Sequence, residues 1–208
     1  MKTKVSFLIV LALFLFAGLN AQSKGALIGG LNLANFSGKD IDDAEDSGFD
    51  VNSKMGAHVG IIGTMPLSKV FDLRGELALS MNGSKFELKD VTTQTHSMFV
   101  AQLPVSIIFN IPLPKSNIIP YVGGGASLGM PVYSHWYLDN KHLPDDDGEY
   151  DEDELSKFLL GYQVNVGISY HDLLFELRLD NSITPVFDDK IMDEAFYSNM
   201  KLLLGYRF

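Results

Sequence analysis

Few residues in this chain have the chemistry to act as catalysts. Ser134 and His135 stand side by side and His142 follows a short way on, which supplies a hydroxyl and two imidazoles, the groups used in nucleophilic catalysis. Neighbouring residues of an extended chain point to opposite faces, so Ser134 and His135 do not meet one substrate together. His58, on the strand face opposite Ala57, Val59 and Ile61, and His171, in a tight turn, read as structural histidines. No HExxH, GxSxG or phosphate-loop spacing occurs. No catalytic residue is expected, and the chain reads as a non-enzyme.

A second constellation is acidic. Asp145, Asp147, Gly148, Glu149 and Glu154 fall at positions three, five, six, seven and twelve of a calcium-binding EF-hand loop. The first position is Leu143, and no helical pattern flanks the stretch, so a solvated run of charge is the simpler reading and no metal or cofactor is expected. The chain has no Cys, which removes thiolate metal sites, disulfides and cysteine nucleophiles.

The third constellation is the most informative. Asp72, Arg74 and Glu76 are spaced by two, as are Glu176, Arg178 and Asp180, and Lys201 and Arg207 fall on one parity near the C-terminus. A spacing of two places each set on one face of a strand, where opposite charges can pair. The intervening residues are oily: Phe71, Leu73, Leu77 and Leu79 in the first stretch, Phe175, Leu177 and Leu179 in the second, and Leu202, Leu204, Tyr206 and Phe208 in the third.

These groups require strands to carry them. Alternation of the same quality runs over Tyr162 to Tyr170, Met55 to Met65 and Leu27 to Ala34, while Phe99 to Phe109 and Ile119 to Met130 are apolar on both faces and have no assignable facing. Gly123-Gly124-Gly125 inside the last of these marks a bulge or a close backbone approach. Eight strands result. Long connections, Ser37 to Ser53, Gly83 to Ser97, Pro131 to Ser156 and Pro185 to Ser198, alternate with short ones, Pro66 to Lys69, Pro112 to Asn117 and His171-Asp172. That alternation predicts an all-β, eight-stranded antiparallel up-and-down barrel with long loops on one rim and tight turns on the other.

Which face of the barrel is oily decides what the molecule is. In a soluble ligand-binding barrel the oily face points inward; in a transmembrane barrel it meets lipid. Aromatic residues near strand ends, mixed charges on the opposite faces and a chain that stops on Tyr206-Arg207-Phe208 favour lipid. The expected lumen ion-pair network is Asp72, Arg74, Glu76, Glu176, Arg178, Asp180, Lys201 and Arg207. Because an eight-stranded barrel leaves room only for side chains, these groups should plug it. A small-solute channel is the alternative.

The N-terminus agrees with export. Lys2 and Lys4 precede an apolar run from Val5 to Leu19 and a small residue at Ala21, the pattern of a cleaved signal peptide over residues 1–21. Residues 22–208 then form one barrel domain. The formal net charge is −10, and loss of Lys2 and Lys4 takes it to −12. Nucleic acid is therefore excluded as a partner, since phosphate binding needs clustered Lys and Arg. Most of the carboxylates fall in the long connections, which makes that rim acidic.

The motifs in chain order resemble the PorT-like outer-membrane β-barrel family. Gly29-Gly30-Leu31-Asn32-Leu33 resembles its first strand, Gly56-Ala57-His58-Val59-Gly60 its second, Pro120-Tyr121-Val122-Gly123 its fifth and Phe175-Glu176-Leu177-Arg178 its penultimate one, with Gln102-Leu103-Pro104 and a terminal aromatic in the places expected. The resemblance implies a bacterial outer-membrane barrel whose namesake serves protein secretion. It also implies outer-membrane lipid and the barrel-assembly machinery as partners, with Tyr206 and Phe208 as the C-terminal assembly signal, and a structural or interaction role with an envelope or secretion protein.

Overall fold

The computed structural model describes residues 24–46, 48–88, 92–140, 146–148, 156–187 and 194–208. The expected signal peptide, His142, and Asp145, Glu149 and Glu154 of the calcium-like spacing lie outside the described residues. Eight long strands form the wall: β1 (Lys24–Ser37), β2 (Phe49–Pro66), β3 (Phe71–Leu88), β4 (Thr92–Asn110), β5 (Ile118–Asn140), β7 (Leu159–Tyr170), β8 (Leu173–Ser182) and β9 (Phe196–Arg207). A three-residue strand β6 (Asp146–Gly148) pairs with the far end of β5, and a helix α1 (Lys39–Asp46) follows β1.

Every strand of the wall pairs antiparallel with its sequence neighbour. β1 also pairs with β9, so the sheet closes into an eight-stranded barrel. Closure satisfies both hydrogen-bonding edges of each strand, the condition for backbone to cross hydrocarbon. Both chain ends of the barrel lie on the short-turn rim, where the Phe208 amide donates to the Gly25 carbonyl at 3.0 Å. The turn at His171-Asp172 is tight, and His171 adopts φ 51° there, the left-handed backbone that two-residue hairpins require.

The facing follows the alternation. Leu31, Val59, Leu79, Val164, Leu177 and Leu202 are exposed, while Arg74, Glu76, Glu176, Arg178, Asp180 and Lys201 are buried. Oil outside and charge inside is the inverse of a soluble barrel, and the soluble ligand-binding alternative falls on that observation. β4 and β5, which had no assignable facing, point Gln102, Ser106, Tyr121 and Ser127 inward.

The strands run further than their oily stripes. β3 continues through Leu88, β4 begins at Thr92 and β5 reaches Asn140, so most of Gly83 to Ser97 and the first part of Pro131 to Ser156 are strand rather than loop. The outward residues of the β3 and β4 extensions are polar, among them Lys85, Glu87, Thr93 and Thr95. Beyond the lipid band the oily marker stops and the hydrogen-bonded ladder does not. The connection Ser37 to Ser53 likewise contains α1. Its Asp40 and Asp42 fall in the first turn, where carboxylates suit the helix dipole, and its Ile41 is buried.

The interior is layered rather than uniformly charged. An apolar cluster of Ile28, Ile62, Ile108, Tyr121, Leu174 and Leu203 occupies the short-turn end. A larger one built on Phe36, Phe86, Met98, Leu159, Phe187 and Tyr197 fills the long-loop end beneath α1. The ion-paired side chains Glu76, Glu176, Arg178, Asp180 and Lys201 occupy the zone between them.

Candidate functional site

Arg178 projects inward from β8 and is fully buried. Its Nη2 lies 2.8 Å from Glu76 Oε2 of β3 and 2.6 Å from Glu176 Oε1. Glu176 is held from its other side by Arg74 Nη1 at 2.6 Å and by the Tyr121 hydroxyl, which donates at 2.8 Å. The Arg74 guanidinium sits 5.0 Å from the centre of the Tyr121 ring, a cation-π arrangement. The second oxygen of Glu76 lies 2.7 Å from His58 Nε2.

A second group sits beside the first. Lys201 Nζ lies 2.7 Å from Asp180 Oδ2 and donates to Gln102 Oε1 at 2.9 Å. Gln102 in turn donates to Asp180 Oδ2 at 3.0 Å, and Ser127 Oγ donates to Asp180 Oδ1 at 3.3 Å. Three cations, Arg74, Arg178 and Lys201, thus face three carboxylates, Glu76, Glu176 and Asp180. Neutral pairing with added hydrogen bonds is what makes buried charge tolerable.

Six of the eight expected lumen residues meet in this network. Asp72 and Arg207 do not. Asp72 Oδ2 accepts a hydrogen bond from Asn110 Nδ2 at 2.7 Å, and Arg207 forms no ion pair among the described residues. Both line a cavity at the short-turn rim. Period two assigns a face but not a height along the barrel, and these two stand at the strand ends. Tyr206 and Phe208 point to the lipid side, 56% and 73% exposed.

Sequence reasoning missed Tyr121 and Gln102, because their strands offer no contrast of oily and polar faces. It also missed a pairing of Ser134. Ser134 faces inward, away from His135, and its Oγ lies 2.7 Å from His96 Nε2. Both residues are buried, with the rings of Phe36 and Phe187 centred 5.3 and 5.6 Å from that of His96.

The chain matches a known family: residues 20–188 fit the model of the outer membrane protein beta-barrel domain. The chain belongs to that family. No curated protein matches this outer-membrane barrel. Among solved structures it is similar to Neisserial surface protein A, at 14% identity over 88% of this chain and 97% of that one, with a TM-score of 0.48. OprG of Pseudomonas aeruginosa shares 10% identity over 89% and 96% of the two chains, TM-score 0.45. The outer-membrane enzyme PagL shares 9% over 88% and 98%, TM-score 0.43. Family membership places the barrel in the bacterial outer membrane.

Proposed function

We propose that this barrel is a closed, non-enzymatic outer-membrane anchor that presents an acidic surface to an envelope or secretion partner, rather than a channel. The observation that carries this reading is the Arg178 bridge between Glu76 and Glu176, from opposite parts of the wall, capped above and below by apolar layers. An ion crossing the lumen would have to break those pairs and part both layers. The short turns belong on the periplasmic side and the long connections outside, so the acidic helix α1, with Asp40, Asp42, Asp43 and Asp46, sits on the cell surface. Within the family, the motif order of the strands supports a place among the PorT-like barrels, and a secretion-associated partner goes with that place.

Planar-bilayer recording tests the closed lumen. The purified protein should insert without steady conductance; resolved unitary currents that vanish on unfolding would replace the anchor by the small-solute channel. The interaction role is read in a deletion strain, which should show changed secreted or envelope protein content with unchanged uptake of small solutes.

A further inference from the structure

The three-against-three interior pairing leaves a separate basic group at the short-turn rim unexplained. A cavity of about 250 Å³ opens there, lined by Lys24, Lys69, Asp72, Arg74, Asn110 and Arg207 together with apolar atoms of Ala26, Pro66 and Ile119. Its cations come from β9, β1, the β2–β3 turn and β3, consecutive around the wall, so the closed sheet converges them on one side of the mouth.

The charge there runs against the composition. The whole chain carries −10, yet four cations and one carboxylate line this cavity, and that carboxylate, Asp72, is engaged by Asn110. Arg74 has its Nη1 on Glu176, but its buried Nε meets no acceptor among the described residues. The Arg207 side chain forms no hydrogen bond or ion pair among the described residues. Arg74 repels it, and Asp72 and Asp172 act on it without closing a pair. Two guanidinium groups with donors to spare, and two lysines at the rim, form a ready receptor for an oxyanion, which accepts from several such donors at once.

We propose that the periplasmic mouth of the barrel binds a small organic oxyanion, a carboxylate or phosphate ester, whose acid group meets Arg207 and Arg74 between Lys24 and Lys69 while its apolar body rests on Ala26, Pro66 and Ile119. The same chemistry is available from a soluble periplasmic anion or from a lipid headgroup of the inner leaflet. The site shares Arg74 with the ion-pair network, while Lys24, Lys69 and Arg207 stand outside it, so Arg207→Gln and Lys69→Gln test the site without touching the pairs that close the lumen.

The test is a titration of the protein in nanodiscs of zwitterionic phosphatidylcholine with phenyl phosphate, benzoate and inorganic phosphate, followed by calorimetry. Phenyl phosphate and benzoate should saturate at millimolar or lower concentration, and inorganic phosphate should bind more weakly. Arg207→Gln should weaken binding about tenfold, the scale of one charged hydrogen-bonding partner. Lys69→Gln, in an exposed turn where it cannot disturb the wall, should weaken it less. Repeating the titration in discs containing phosphatidylglycerol separates the sources: competition assigns the site to a headgroup, unchanged affinity to a soluble anion. Absence of saturation, or wild-type affinity in both Arg207→Gln and Lys69→Gln, overturns the proposal.

Discussion

Arg178 and Lys201 stand directly opposite one another on β8 and β9, both fully buried, and they share no carboxylate within ion-pair distance. Like charges on facing positions of a sheet repel. Here the repulsion is divided: Arg178 leans to Glu76 and Glu176, Lys201 to Asp180. Glu176 and Asp180 come from β8 itself, and Glu76 of β3 adds a further carboxylate to Arg178 from across the barrel. That contact couples β3 to β8.

Arg178→Met tests that coupling. It leaves Glu76 buried with only His58 as a partner, and the loss of one member of a buried pair costs about 3 to 5 kcal/mol. Urea titrations of folding into lipid vesicles should show a loss of that order. Adding Glu76→Gln should restore part of it. Strict additivity of the two substitutions would mean that the 2.8 Å contact contributes nothing.

The neighbouring residue acts by a different route. Leu177 is on the lipid face, paired with Val166 and Leu202 in the middle of the wall. Leu177→Arg should cost about 2 to 4 kcal/mol near the bilayer midplane, and the cost should shrink in detergent micelles, where the cation reaches water. A neutral result in vesicles would reverse the facing of β8 and with it the ionic core.

The facing of six strands was legible because large oily residues alternate in them with polar or small ones, most sharply in Asp72 to Leu79 and Phe175 to Asp180, where the inward set is charged. β4 and β5 were not, since the inward set of β5 includes Tyr121, Gly123, Gly125, Ser127 and Gly129, which differ little in polarity from the outward set. The layering of the interior was hidden for another reason. Leu174, Glu176, Arg178 and Asp180 share a face, and only the register of seven other strands shows that Leu174 joins an apolar floor while the others join the ionic zone. The pairing of Ser134 with His96 is invisible for the same reason, because the bulge between Phe99 and Val100 shifts the β4–β5 register just before it.

The three consecutive glycines of β5 should not tolerate substitution equally. Gly124 faces out, and an added Cβ would meet nothing closer than the Gln163 carbonyl oxygen at 3.4 Å. At Gly125 the same atom would collide with the Val105 carbonyl oxygen and lie 2.6 Å from Ser106 Cα, both backbone and unable to swing aside. Gly124→Ala should therefore stay within about 0.5 kcal/mol of wild type. Gly125→Ala should lose about 1 to 3 kcal/mol as an overpacked site. Equal unfolding midpoints for the two would contradict the close approach of β4 and β5 at this point.

The last prediction concerns the chain's end. The Phe208 ring lies across Gly25 of β1, where an added Cβ would come within 2.6 Å of its Cε2, and the Phe208 amide is bonded to the Gly25 carbonyl. The glycine thus provides a seat for the terminal aromatic at the seam where β1 meets β9, and the ring covers backbone that a side chain would otherwise shield. Gly25→Val should displace the ring while keeping the β1–β9 ladder, and Phe208→Ala should leave the seat empty. If Tyr206 and Phe208 are read as a signal during assembly in the cell, Phe208→Ala will lower the amount of heat-modifiable barrel in the outer membrane, yet refold in detergent to nearly the wild-type yield. Gly25→Val, whose Phe208 is intact and available before the seam closes, should assemble in the cell and lose stability only afterwards. Equal loss of the two variants from the membrane would make the terminal ring a packing element of the seam and not a signal.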